Sequence, residues 1–281
     1  MLSISDVFER LTDDLAASKA EPTFDFAVVD ECQDLGVAEA RFLKQLTAGR
    51  ADGLLFTGDL GQRIFQQPFS WKSLGIDVRG RSSTLRINYR TSHQIRVHAD
   101  RLLPKAVSDV DGNTDSRDGT VSMFDGPAPL VLPCKDTKAE VEAVANWLRA
   151  RHREGVRPEE IGVFVRSEEE LPRARSALDA ADLKYVELAE DTETQGDAAA
   201  LSTMHLAKGL EFKAVVVMAC DEGVIPSEER LANLADEAEL EETYNTERHL
   251  LYVACTRARD FLLVSGIQPM SEFIEDFKMK A

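Results

Sequence analysis

The sequence predicts an α/β protein with two domains, in which parallel strands alternate with helices. Short apolar runs at 26–29, 54–57 and 161–165 alternate with segments of helical periodicity. Several of these runs give way at once to polar residues, as buried parallel strands do when they deliver side chains to the carboxyl edge of a sheet. With 281 residues, 43% of them hydrophobic, the chain has enough apolar material for two cores.

The first part of the sequence predicts a partial α/β layer. Residues 5–19 place Val7, Leu11 and Leu15 on one face of a helix, with acids between them. The elements that follow are strand 26–29, helix 36–48, strand 54–57, strand 84–87 and helix 92–103. We assign 1–106 to this first domain.

The second part of the sequence predicts a second α/β domain. Residues 107–129 are rich in Asp, Gly, Ser and Pro without periodicity, which is typical of a linker. Beyond it, strands are predicted at 130–133, 161–165, 185–188, 198–204, 214–219 and 261–264, and helices at 138–152, 171–180 and 246–259. We assign 130–281 to this second domain.

Charge and cysteine content narrow the function classes. A net charge of −17 disfavours broad attraction to nucleic acid or anionic lipid, so any nucleic-acid contact is expected in a local groove. Cys32, Cys134, Cys220 and Cys255 are scattered singly, a distribution that favours reduced thiols over disulfides or zinc. No secretion signal or membrane span is evident, so we expect a cytoplasmic protein without a membrane partner.

Two acids follow the first predicted strand directly. Asp30 is placed to coordinate Mg²⁺, and Glu31 could share the metal site and take a proton from an attacking water. The alternative is a solvated acidic helix start, because acids are favourable at that end of the helix dipole.

The next two strands also lead into polar segments. Gly58 and Asp59 precede Gln62, whose amide can sense a phosphate oxygen or a water. Tyr89 and Arg90 could stack a base and hold a phosphate. The alternatives are a core tyrosine and an arginine in a surface ion pair.

Two further segments that could form a binding site lie in the second domain. Residues 201–212 form a polar loop between two strands, and 247–259 form a helix that ends in Arg257 and Arg259. Taken together, the five segments resemble the superfamily 1 DNA helicases and translocases of the UvrD, Rep and PcrA type. The resemblance rests on 30–34 as motif II, 58–62 as motif III, 88–90 as motif IV, 203–212 as motif V and 251–259 as motif VI.

The resemblance implies two RecA-like domains, the first only partial, with ATP and Mg²⁺ as cofactors. It assigns the metal ligand to Asp30, the water-orienting base to Glu31 and the γ-phosphate sensor to Gln62. Tyr89 would stack on adenine, and Arg90 would reach the γ-phosphate.

In the second domain the resemblance adds further nucleotide contacts. Arg257 matches the arginine finger, which stabilises charge on the transferring phosphoryl group. Glu211 matches a nucleotide-binding residue, and Lys208 and Gly209 shape its loop. Arg259 is as consistent with an exposed salt bridge as with a phosphate contact.

Single-stranded or partly duplex DNA is the partner that the resemblance implies. Thr203 and His205 fall where the family contacts the DNA backbone, although His205 could equally cap a helix. The segment after motif III departs from the family pattern, so the aromatic that stacks a base could be Phe65, Phe69, Trp71 or none of them.

No glycine in the printed sequence is followed by lysine, so the Gly-Lys-Ser/Thr of a phosphate loop is missing from it. We therefore expect the C-terminal part of an ATP-dependent 3′ to 5′ helicase or translocase, for which a separate polypeptide could supply that loop. Two alternatives are a non-catalytic module that binds DNA or a protein, and an ATPase with an unrecognised phosphate loop.

Overall fold

The structure, a computed structural model, divides into two compact units. It describes residues 2–18, 24–47, 50, 52–59, 69–78, 80–104, 106–108, 111–112, 114–116, 119–189, 196–232 and 236–278. The first unit comprises 1–84 and 106–116, and the second comprises 85–105 and 117–281.

The first unit contains a parallel strand pair and two helices. Its elements are α1 (Ile4–Ser18), β1 (Ala27–Val29), α2 (Val37–Leu46), β2 (Leu54–Phe56), β4 (Ala106–Ser108) and β5 (Thr114–Ser116). Strands β1 and β2 are parallel, with Val28 opposite Leu55. Helix α1 packs on α2 through Phe8 and Phe42, whose ring centroids are 5.3 Å apart. The predicted parallel α/β arrangement is confirmed in this unit.

The second unit is built around a six-stranded parallel sheet in the order β7-β12-β11-β8-β10-β9. Its sheet strands are β7 (Leu130–Cys134), β8 (Ile161–Val165), β9 (Tyr185–Glu187), β10 (Ala199–Thr203), β11 (Phe212–Val217) and β12 (Ala258–Ile267). Its helices are α3 (His93–Ala99), α4 (Thr137–Arg153), α5 (Leu171–Ala180), α6 (Glu228–Ala232), α7 (Glu237–Thr256) and α8 (Phe273–Lys278). A separate parallel pair is formed by β3 (Ile87–Asn88) and β6 (Val121–Ser122).

The core of the second unit lies on both faces of this sheet. All five residues of β8 are buried, which explains why its sequence is continuously apolar rather than alternating. Val163 and Leu201 pack with apolar side chains of α4 and α5, such as Leu148 and Leu178. The predicted α/β class is therefore confirmed here too. No helix among the residues given above is long and apolar enough to cross a membrane.

Two helices of this unit, α4 and α7, begin with a side-chain cap. The Asp136 carboxylate accepts a hydrogen bond from the backbone N–H of Ala139 at the start of α4, and Asp236 accepts one from Glu239 at the start of α7. Acids in the first turn of α7 add a favourable interaction with the helix dipole. Helix α7 consequently begins at Glu237, well before the predicted start at 246.

The segment predicted as a linker contains short strands. Strands β4 and β5 pair antiparallel around Gly112, whose φ of +80° suits a tight turn, and β6 pairs with β3. Strands of two or three residues are too short to show periodicity, so the sequence pattern missed them. The segment 85–105 belongs to the second compact unit, whereas the sequence assigned it to the first domain.

Candidate active site

The acidic turn after β1 places Asp30 and Glu31 at the carboxyl end of that strand. Glu31 adopts a left-handed conformation with φ 54° and ψ 40°, which costs a non-glycine residue about 1–3 kcal/mol. The Asp30 carboxylate accepts hydrogen bonds from the backbone N–H of Glu31, at 3.0 Å, and from the hydroxyl of Thr57 beyond β2. Strain of this kind is often found at functional sites.

A buried amide joins this turn to the segment after β2. Gln33 is 5% exposed, and its Nε2 donates to the Glu31 carboxylate. Its Oε1 accepts from the backbone N–H of Asp59 at 3.0 Å. A Cβ at Gly58 would stand 2.2 Å from that same oxygen, so a larger residue there would displace the Gln33 amide. Gln33 is thus a positioning residue, and the sequence pattern showed no role for it.

The residues of this turn fit a magnesium site. Asp30, Glu31 and Thr57 supply oxygen donors, and Mg²⁺ in proteins is often held by one or two carboxylates together with water and substrate phosphates. Across the described ranges no three His, Cys, Asp or Glu side chains form a metal cluster by themselves. The assignment of Asp30 and Glu31 to Mg²⁺ stays a prediction.

The candidates beyond β2 are only partly covered by the structure. Gln62 and Phe65 lie outside the described residues. Trp71 packs against Phe56 of β2 and against Phe69, with ring centroids 4.9 and 4.8 Å apart. Trp71 is therefore part of an aromatic cluster of the first unit, and its role as a DNA-stacking residue stays a prediction.

In the second unit, a turn after β3 presents Tyr89 and Arg90. The Asn88 side-chain oxygen accepts from the backbone N–H groups of Arg90, at 2.8 Å, and Thr91, at 2.9 Å, which fixes the turn. The backbone N–H of Ser92 donates to the carbonyl of Arg259 at 3.0 Å. Tyr89 is 68% exposed and so is not a core residue, which leaves its ring accessible for stacking on a base.

The loop after β10 meets this turn through an ion pair. The Nε of Arg90 lies 2.9 Å from Oε2 of Glu211, and both side chains are roughly half exposed, at 46% and 44%. Gly209 has a φ of +78°, a conformation that favours glycine, and the loop turns there. Lys208 directly precedes it. The structure thus brings two predicted nucleotide residues, Arg90 and Glu211, into contact.

Arg257 is the cap residue at the C-terminal end of α7 and is buried, with 1% exposure. Its guanidinium donates to the carbonyl of Val253 at 3.1 Å and to that of Leu210 at 3.3 Å. Its own carbonyl accepts from the backbone N–H of Phe212 at 2.9 Å. Arg257 therefore packs against the loop that carries Glu211. Arg259 forms a bidentate pair with the neighbouring Asp260, as its salt-bridge alternative predicted.

Thr203 and His205 lie where β10 leaves the sheet. Thr203 ends β10 beside Val165 of β8, and His205 falls within a short 3-10 helix, Met204–Ala207. Burial lowers the pKa of His205, and the nearby guanidinium groups of Arg166 and Arg230 lower it further, while Glu247 acts in the opposite direction. The lowered pKa favours the neutral form of the His205 imidazole.

Three charged residues near His205 were missed by the sequence analysis. Glu247 is fully buried on α7 and accepts hydrogen bonds from Arg166 and from Arg230. The helical spacing could have indicated that Glu247 is buried, because it lies one helical turn from Thr243 and from Leu250, both of which are buried. An acid within a buried helix stripe indicates a basic partner.

Part of the second unit is similar to known proteins. Residues 177–268 match the family described as the UvrD-like helicase C-terminal domain. The ATP-dependent DNA helicase PcrA of Bacillus subtilis (strain 168) is 39% identical over 93 residues, which are 33% of this chain and 12% of that protein. The ATP-dependent DNA helicase UvrD1 of Mycobacterium leprae (strain TN) is 41% identical over 90 residues, 31% of this chain and 11% of that protein.

A solved structure of the C-terminal domain of a possible DNA helicase from Lactobacillus plantarum WCFS1 has a TM-score of 0.47 and 20% identity, covering 68% of this chain and 94% of that one.

The segment that matches the UvrD-like family contains 203–212 and 251–259, the predicted motifs V and VI. The resemblance to UvrD-type helicases is confirmed over this segment. The chain spans only about a tenth of the length of PcrA and UvrD1.

Proposed function

We propose that this chain is part of an ATP-dependent DNA helicase or translocase of the UvrD type that moves 3′ to 5′ on single-stranded DNA. One observation carries the proposal. Arg90, Glu211 and Arg257 are far apart in sequence, yet one loop connects them: Glu211 pairs with Arg90, and the preceding carbonyl of Leu210 accepts from Arg257. These are the residues whose motifs indicate nucleotide binding.

Each group has a chemical task in this proposal. Arg90 carries a permanent positive charge and a planar set of donors that suits phosphate oxygens. Arg257 would stabilise the charge that develops on the transferring phosphoryl group, and for this its guanidinium must exchange the carbonyl of Leu210 for a phosphate oxygen. Glu211 would release Arg90 when a nucleotide phosphate takes its place.

The acidic turn of the first unit would orient an attacking water and take its proton. Glu31 accepts from Gln33, which leaves its carboxylate oriented by a buried amide. A carboxylate held in this way can orient a water and take its proton. Asp30 and Thr57 would hold Mg²⁺, which neutralises phosphate charge when it is bound.

We further propose that a polypeptide segment with Gly-Lys-Ser/Thr completes the ATP site, since no glycine in the printed sequence is followed by lysine. Backbone N–H groups and the lysine of such a loop cradle the phosphates.

ATP hydrolysis by the purified chain, with and without single-stranded DNA, tests this function. The measurement is repeated after adding a polypeptide that contains a phosphate loop and its strand. DNA-stimulated hydrolysis only with the added polypeptide is the expected result. DNA binding without hydrolysis under every condition would favour the alternative, a helicase-like module that only binds DNA.

A further inference from the structure

Phe26, Val28 and Leu55 form an exposed apolar face on the strand pair β1–β2, which we call the outer face. Their exposed fractions are 71%, 69% and 57%. The backbone N–H of Ala27 donates to the carbonyl of Gly53 at 2.8 Å, which keeps this stretch extended. Phe26 and Val28 therefore point to the same side, and Leu55 lies opposite Val28 in the parallel register. A contiguous exposed apolar patch of this kind marks an interaction site.

The opposite face of the strand pair is already packed. Leu54 and Phe56 are half-buried there, and the ring of Phe56 lies 4.9 Å from that of Trp71, between centroids. Parallel strands are normally covered on both faces, most often by helices. Within the part of the chain that the structure describes, the outer face lacks such a cover.

Negative charge is concentrated where β1 and β2 end. Four acids lie there, namely Asp30, Glu31, Asp34 and Asp59. Residues 30–46, which include α2, and 57–59 together hold five acids and two bases, so three negative charges are in excess. A partner that covers the outer face therefore meets an acidic border at the carboxyl end of the strands.

At the amino end of the same strands the acids are compensated. Asp25 pairs with Arg50, and Asp52 pairs with Arg81 at 2.8 Å. The strand pair is thus charged asymmetrically, with the excess of negative charge at one end of the outer face.

We infer that the outer face binds an amphipathic helix of a partner polypeptide that carries Lys or Arg in its first turn. The apolar side chains of this helix cover Phe26, Val28 and Leu55. Its N-terminal end lies over the acidic border, because the helix dipole and the basic side chains are both attracted to carboxylates there. This binding requires neither nucleotide nor DNA, so the inference is independent of the proposed function.

Anisotropy of a fluorescein-labelled peptide mixed with the whole chain tests the inference. The peptide has about 18 residues, because shorter helices are marginal in water. It carries leucines along one face, alanine and glutamine elsewhere, and two lysines in its first turn. Saturable binding is expected, and binding should weaken about tenfold when glutamates replace the lysines. The buffer contains EDTA, since Mg²⁺ held by Asp30 and Glu31 would offset the acidic border.

Substitutions on the outer face locate the binding. Val28→Thr should weaken binding about tenfold, because the helix would bury a hydroxyl without a partner. Its melting temperature should equal that of wild type, since Val28 is exposed in the free chain. Leu55→Thr is a second variant of the face with the same expectation. Val121→Thr is the matched control, because Val121 is a valine of β6 with 59% exposure, and it should bind as wild type does.

Three results of the peptide assay overturn the inference. These are no binding of the lysine peptide, equal binding of the lysine and glutamate peptides, and equal binding by Val28→Thr and Val121→Thr. Size-exclusion chromatography of the chain alone adds a fourth: a dimer that Val28→Thr converts to a monomer would show that the face binds a second copy. Since none of these measurements involves ATP or DNA, a failure of the proposed function would leave them unchanged.

Discussion

The Nε of Arg90 lies 2.9 Å from Oε2 of Glu211, and this pair joins the turn after β3 to the loop after β10. Since both side chains are about half exposed, water screens their attraction. The pair is therefore suited to being exchanged for a ligand rather than to holding the fold.

Arg90→Ala should change the free energy of unfolding by less than about 1 kcal/mol. ATP turnover by the complete system should nevertheless fall about 100-fold or more, because a phosphate contact is lost. Chemical denaturation and a phosphate-release assay measure the two effects. Arg175→Ala, which removes a similarly exposed pair with Glu187, should alter neither. A large loss of stability in Arg90→Ala would mean that the pair is structural.

Arg257→Ala should behave differently, since this side chain is buried and its guanidinium donates to the carbonyls of Val253 and Leu210. Loss of these charge-assisted bonds should lower the free energy of unfolding by about 3 kcal/mol. Turnover should fall by orders of magnitude, as for an arginine finger. Urea unfolding of this variant beside Arg90→Ala gives the comparison. Equal stability of the two variants would contradict the burial of Arg257.

Gly58→Ala should disturb the acidic turn, because its Cβ would stand 2.2 Å from Oε1 of Gln33. Displacement of this buried amide breaks its bonds to Glu31 and Asp59, which should cost about 1–3 kcal/mol. Thermal melting of the chain measures the loss. Gly196→Ala is the matched control, since nothing lies within 4 Å of a Cβ at that position. Equal melting temperatures for the two variants would show that the Gln33 amide can be displaced without loss of stability.

Stability should depend on pH through His205. Its pKa is lowered in the folded protein, chiefly by burial, so the unfolded chain binds a proton more readily. The stability that the neutral His205 contributes is fully present above the unfolded pKa of about 6.5. It is lost as the pH falls through the lower pKa of the folded state. His205→Gln should therefore show a smaller drop in melting temperature than wild type between pH 7.5 and 5.5. The exposed His93→Gln should show the wild-type drop, and the same drop in both variants would remove His205 from this role.

The sequence by itself determined the α/β class, because its apolar runs and helical periods report which residues must be buried. The bounds of β8 and α5 agree with the predicted 161–165 and 171–180, since the apolar run of β8 is uninterrupted and α5 follows directly upon acidic residues. Motifs V and VI were likewise readable from local sequence, and the family match over 177–268 covers both.

Only the tertiary structure decided which distant side chains meet. Hydrophobic periodicity gives the face on which a residue lies but not its partner, so the Arg90–Glu211 contact and the burial of Arg257 could not be derived from spacing. The same limit hid Glu247, whose two arginine partners come from the end of β8 and from α6. A buried carboxylate must be compensated, and that compensation is set by long-range packing, which local sequence does not encode.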